Sequence, residues 1–125
     1  WDDRIDVIET AKLISVLPVT EVKLHSLYIV KDTALAHMYE AGEVTLSSME
    51  EYMERVILFL SYLRPDIVIQ RIVGRASGGN TLAVNGGSPW WDVKKRIDAL
   101  MEERGIMQGA CCDYIDGKAV RRFVR

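Results

Sequence analysis

The hydrophobic pattern changes period several times along the chain, and each change marks an element. Over residues 2 to about 16, Ile5, Ile8, Ala11, Ile14 and Leu17 recur at helical spacing. Asp2 and Asp3 stand at the start, where carboxylates oppose the positive end of the helix dipole, and Pro18 stops the helix. From 21 to 30 the spacing tightens: Val22, Leu24, Leu27, Tyr28, Ile29 and Val30 are apolar on both faces, as in a parallel strand covered on two sides. Asp32 offers a cap for a short helix over 33–41, and Gly42 suits its exit.

The clearest helix lies in "LSSMEEYMERVILFLSYLRPD", where Met49, Tyr52, Met53, Val56, Phe59, Leu60 and Leu63 make one apolar face. Ser47 and Glu50 are spaced for a capping box, and Pro65 ends the helix. A second buried strand follows from Ile67 to Val73. Strand, helices and strand in that order imply a right-handed crossover joining two parallel strands. "GRASGGNTLAVNGGSP" then reads as a loop, after which Ser88 as cap and Pro89 at the first helical position open a last helix. Val93, Ile97, Leu100 and Met101 face inward there, and Gly105 closes it. "DYIDGKAVRRFVR" is either a hairpin around Asp116-Gly117 or a loose tail.

Two parallel strands leave edges and faces in need of neighbours. The expected fold class is therefore α/β with an incomplete sheet: either a piece of a larger sheet or a chain that pairs with itself. At 125 residues and 49% apolar content the chain is the size of one domain and is not expected to be disordered. A net charge of −2 with scattered Lys and Arg makes a broad nucleic-acid footprint unlikely. No run approaches the roughly 20 apolar residues of a membrane span, and no signal-peptide pattern is present, so a soluble, cytoplasmic protein is expected. The chain opens on Trp1 rather than Met, which raises the expectation of further polypeptide upstream.

Chemistry is sparse. His25 interrupts the first apolar strand and is either a ligand contact at the carboxyl edge of a sheet or a hydrogen-bonded core residue. Gln70 and Arg71 interrupt the second and point to opposite faces. One of them should meet a polar cavity, unless Arg71 pairs with a helix carboxylate outside the sheet. Trp90 and Trp91 are amphipathic anchors for a ligand or for the sheet. His37, on the short helix, reads as a surface residue. The Gly-rich loop lacks both the G-x-x-x-x-G-K-[ST] and the G-x-G-x-x-G spacing of a phosphate cradle. Cys111 and Cys112 are adjacent, have no spaced partners and read as reduced thiols. No triad, paired-carboxylate or H-E-x-x-H pattern is present.

Three stretches, "ETAKLISVLPVTEVKLHSLYIVKDTALAHMYEAGE", "SSMEEYMERVILFLSYLRPDIVIQRIVG" and "KKRIDALMEERGIMQG", together resemble the C-terminal part of radical S-adenosylmethionine proteins of the YhcC type. These are bacterial iron-sulfur oxidoreductases likened to oxygen-independent coproporphyrinogen oxidases. The resemblance implies that residues 1–109 are the C-terminal part of a partial (β/α) barrel, with 110–125 as a tail. It also implies that the three-cysteine cluster motif lies elsewhere, and that the full-length parent binds a [4Fe-4S] cluster and S-adenosylmethionine and abstracts hydrogen from its substrate. The chain alone would hold no cofactor and be inactive. Its partner would be the upstream barrel half of the same polypeptide, with self-association through exposed sheet edges as a further outcome. On this reading His25, with Gln70 or Arg71, lines the S-adenosylmethionine or substrate cavity. The competing reading is a self-contained α/β interaction or dimerisation module anchored by its tryptophans.

Overall fold

In the computed structural model, residues 3–74, 81–84 and 89–117 are described. They form four helices and four strands: α1 (Arg4–Val16), β1 (Glu21–Lys23), β2 (Tyr28–Val30), α2 (Ala34–Glu40), α3 (Met49–Tyr62), β3 (Val68–Arg71), β4 (Thr81–Val84) and α4 (Trp90–Arg104). β1 and β3 pair in parallel, with Glu21 opposite Val68 and Val22 opposite Ile69, so the expected crossover is present. The arrangement is a partial α/β fragment built on a two-stranded parallel sheet.

The apolar run 21–30 is not one strand. Past Lys23 the chain leaves the first sheet, and Tyr28–Val30 joins a second one, antiparallel to β4, with Tyr28 opposite Val84 and Ile29 opposite Ala83. Ile29, fully buried, anchors this second pair. β4 lies inside the Gly-rich stretch read as loop. Its four residues are apolar or β-branched, but the flanking Gly and Asn residues mask so short a run.

Helix starts follow the chemistry of capping, displaced by a residue from the sequence reading in three places. Asp3 caps α1 and exchanges hydrogen bonds with Asp6. Ser48 and Glu51, rather than Ser47 and Glu50, form the capping box of α3. Thr33, rather than Asp32, caps α2; Asp32 instead turns the chain at φ 61°. Pro89 itself is the cap residue of α4, and Ser88 lies outside the described residues.

The core is the apolar face of α3. Every residue expected on that face is buried, together with Ile57, Ile67, Ile72, Val73, Val93, Ile97 and Ala11. α1 presents Val7, Ala11 and Ile14 to it, while Ile5 and Leu17, placed on the same stripe by the sequence, are exposed. The stripe is rotated because Ser15, nearly fully buried, faces α3. Its hydroxyl donates to Ala11 O at 2.7 Å and accepts from Arg64 N at 2.9 Å. Arg64 then donates to Ser15 O and Val19 O at 2.7 and 2.9 Å, satisfying carbonyls at and beyond the C-terminus of α1.

Residues 105–117 return across the C-terminal end of α3. Gly109 N donates to Leu60 O, Cys111 N to Ser61 O, and the Gln108 amide to both Arg64 O and Ile67 O. Tyr114 donates its hydroxyl to Tyr62 O, and the Lys12 ammonium sits over both rings, 5.6 Å from the Tyr62 centroid and 5.3 Å from that of Tyr114. Asp116-Gly117 lies in a turn closed by Gly117 N on Tyr114 O, and residues 118–125 lie outside the described ones. Among the described residues no helix is long and apolar enough to cross a membrane.

The parallel pair is covered on one side only. Val22 and Ile69 pack against the core, whereas Glu21, Lys23, Val68 and Gln70 are exposed, Val68 at 55%. The two-sided covering expected from the apolar run is therefore absent among the described residues.

Candidate functional site

The ladder between β1 and β3 ends at Leu24, whose amide donates to Arg71 O at 2.7 Å. His25 is the first residue beyond, in the irregular segment that carries the chain to the second sheet. Its imidazole lies against Gly74, where a Cβ would come within 2.9 Å of Nδ1. A residue without a side chain thus lets the exit of β3 pass beside the ring. His25 is exposed and has no hydrogen-bond partner among the described residues, so it is not the satisfied core histidine of the alternative.

α3 leads into β3 through Arg64–Ile67, so it runs back along the strand and its first half lies level with the carboxyl end of the sheet. Tyr52 demonstrates this: its hydroxyl donates to Ile72 O, just past β3, at 2.6 Å. α1 lies parallel to α3, since Ser15 meets Arg64 and Lys12 meets Tyr62. Their first halves, the 24–27 segment and residues 43–47 enclose an open cavity of about 870 Å³. It is lined by His25, Leu24 and Leu27, by Val7 and Thr10 of α1, by Glu43 to Ser47, and by Glu51, Tyr52, Arg55, Val56 and Phe59 of α3. The carboxyl end of parallel strands is the end where α/β folds bind ligands.

Several polar groups on its wall are already committed. Thr10 Oγ1 donates to Asp6 O at 2.7 Å, and the Glu51 carboxylate accepts from Ser48 N at 3.1 Å. Burial drives the Tyr52 phenol well above its ordinary pKa, so it stays a neutral donor. Arg55 is half-buried and forms no ion pair among the described residues. Its charge is felt by Asp3, whose carboxyl is held below its usual range chiefly by the Asp6 backbone hydrogen bond, then by that of Ile5, the Asp6 side chain and Arg55.

Of the three residues singled out in the sequence, only His25 lines this cavity. Gln70 sits on the uncovered face of the sheet and donates its side-chain amide to the Glu21 carboxylate. Arg71 is half-buried opposite Lys23, away from the cavity. Arg55 was not anticipated, because it flanks the strong apolar stripe of α3 and reads there as a solvated helix residue. Trp90 packs against the core, while Trp91 is 62% exposed, their rings meeting edge to face at 5.9 Å.

Cys111 and Cys112 are both free thiols. Adjacent cysteines without a third ligand do not fit an iron-sulfur cluster, and among the described residues no group of three His, Cys, Asp or Glu could hold a metal ion.

Residues 19–103 match the radical SAM C-terminal domain. The chain is 32% identical over 112 residues to YtqA of Bacillus subtilis, with 86% of this chain and 34% of YtqA covered. It is 32% identical over 110 residues to MJ0486 of Methanocaldococcus jannaschii, covering 84% of this chain and 33% of that protein. To YhcC of Escherichia coli it is 24% identical over 109 residues, covering 87% of this chain and 35% of YhcC. The chain thus spans about a third of the length of these curated relatives. A match over residues 19–103, which hold the parallel pair and most of the cavity wall, establishes that the chain belongs to the radical SAM C-terminal domain family.

Proposed function

We propose that the chain is the C-terminal part of a radical S-adenosylmethionine oxidoreductase, contributing late barrel strands to the wall of its substrate and cofactor cavity. The observation that carries this reading is the one-sided parallel pair. Parallel sheets are normally covered on both faces, and helices cover β1 and β3 on one. The uncovered face bears Val68, Lys23 and Gln70, which in a (β/α) barrel would point inward. The partner that covers it is the upstream barrel half of the same polypeptide. The [4Fe-4S] cluster and S-adenosylmethionine belong to that longer protein, because the cysteines present here do not fit a cluster. The free thiols support a reducing, cytoplasmic setting.

His25 is the residue of this chain that we place against the bound ligand; Gln70, on the uncovered face of the neighbouring strand, would face the barrel interior, and Arg71 does not line the cavity. The test is anaerobic reconstitution with iron and sulfide. The 125-residue chain should show no visible cluster absorbance, while a longer polypeptide carrying this chain and the upstream half should show it and cleave S-adenosylmethionine reductively. His25→Ala in the longer protein should retain the cluster and lose product formation. A longer polypeptide without a cluster contradicts the reading. A second reading, an interaction module, is favoured by Trp91 alone; it requires partner binding that Trp91→Ala abolishes in a chain needing nothing upstream.

A further inference from the structure

Residues 105–117 lie beyond the 19–103 family match and clamp the turn that leads from α3 into β3. The Gln108 amide holds Arg64 O and Ile67 O, Gly109 N donates to Leu60 O, and Cys111 N donates to Ser61 O at 2.7 Å. Within this clamp sit two adjacent free thiols that the proposed activity does not use. Cys111 is exposed. Cys112 is half-buried, its amide donates to Gly109 O at 2.9 Å, and its thiol is in hydrogen-bond contact with the Tyr114 hydroxyl. One thiol is thus open to a reagent in solution, and the other is held in place beside it.

Joining the two sulfurs is incompatible with that arrangement. Adjacent Cα atoms stand about 3.8 Å apart across a trans peptide, inside the roughly 4.4–6.8 Å that disulfides span, so the small ring closes only by twisting the 111–112 peptide and turning the side chains toward each other. Twisting that peptide withdraws the Cys112 N–H from Gly109 O, and turning the side chain withdraws the thiol from Tyr114. The docked segment and the closed disulfide are therefore alternatives.

We propose that Cys111 and Cys112 form a thiol switch: a low-molecular-weight disulfide oxidises them to an adjacent disulfide, whose closure releases residues 105–117 from the end of α3. Exposed Cys111 attacks the reagent disulfide first, expelling one reagent thiol and leaving a mixed disulfide; Cys112 then displaces the second reagent thiol. Each step passes one proton from the attacking thiol to the departing one. Two protein thiols are oxidised, one reagent disulfide is reduced to two thiols, and no other electron donor or acceptor takes part. Release frees the turn into β3, the strand whose exit passes beside His25.

The test equilibrates the 125-residue chain with mixtures of reduced and oxidised glutathione and follows it by intact mass and by amide hydrogen exchange. The expected product has lost two hydrogens, carries no glutathione, and exchanges the Gly109 and Cys111 amides about tenfold faster or more; dithiothreitol should restore the original mass and the slow exchange. Cys112→Ser, which cannot close the ring, should stop at the glutathione adduct with slow exchange retained. Linkage supplies a further readout: Gly109→Ala, which loosens the same segment, should move the half-oxidised point several-fold toward reduced glutathione. A parent chain that stays reduced, stops at the adduct or joins a second chain through Cys111 overturns the proposal. So does a closed disulfide with unchanged amide exchange. None of these outcomes involves the cluster, so the result stands apart from the reconstitution experiment.

Discussion

Single residues in this chain carry more of the fold than their number suggests, because among the described residues buried polar side chains are few and each is satisfied. Tyr52 is the clearest. Its ring fills the α3 core and its hydroxyl closes on Ile72 O, fixing the first half of α3 against the exit of β3. Tyr52→Phe leaves that carbonyl without its side-chain donor and should destabilise the chain by about 1–2 kcal/mol in urea unfolding. Ser15→Ala removes the acceptor for Arg64 N, a part-buried donor, and should cost a similar amount, roughly 1–3 kcal/mol.

Two phenols also predict how stability depends on pH. Burial drives Tyr52 well above its ordinary value, and Tyr114 is pushed up to about 12, first by desolvation and then by its contacts with Cys112. A phenol whose folded pKa is raised binds its proton more tightly in the folded state. Its contribution is fully present below the unfolded value of about 10 and is lost as pH rises through the folded one. The unfolding midpoint in urea should therefore fall as pH climbs from about 10 toward 12, and the fall should be smaller in Tyr52→Phe. A midpoint flat across that window would contradict the placement of both rings.

At the scale of elements, caps and close approaches decide where segments begin and how they dock. Ser48→Ala removes the acceptor for Glu51 N and should cost about 1 kcal/mol, whereas Ser47→Ala should not remove that capping hydrogen bond. Gly109 has φ 83° and lies so close to Pro65 that a Cβ would stand 2.8 Å from its Cδ. Gly109→Ala should thus loosen the return of residues 105–117, costing roughly 1–2 kcal/mol by the left-handed backbone alone. Faster amide exchange at Cys111, which donates to Ser61 O, is the accompanying signature.

The same scale shows what was legible in the sequence. α3 and α4 were readable because their apolar residues recur at one period over many turns, and all the inward positions proposed for them are buried or packed against the core. The parallel pairing was readable from element order. The split of 21–30 was not, since Leu24 to Leu27 keep the apolar content of a strand while the backbone changes sheets. β4 was hidden by glycines. For the site, His25 was visible as a polar break in an apolar run, but the same signal at Gln70 marked a residue that turns to Glu21 instead. Arg55 was not visible, because a charged residue within a helix looks the same whether it faces water or a cavity.

At the scale of the molecule, the described residues build the core around α3 and cover the parallel pair on one face only. α1 and α4 close on α3, with Arg104 paired to Glu54 and Arg96 to Glu50 at the margin. Among the described residues nothing covers the opposite face of β1 and β3, where Val68 is 55% exposed. Within a longer relative-like protein this face would become interior.

The most direct measurement is solvent accessibility of the Val68 methyl groups, read by NMR with a soluble paramagnetic agent, in the 125-residue chain and in a longer polypeptide that includes the upstream half. Strong broadening in the chain and protection in the longer protein are what this account predicts. Methyl groups broadened equally in both would show that nothing covers this face, and would contradict its assignment to a barrel interior.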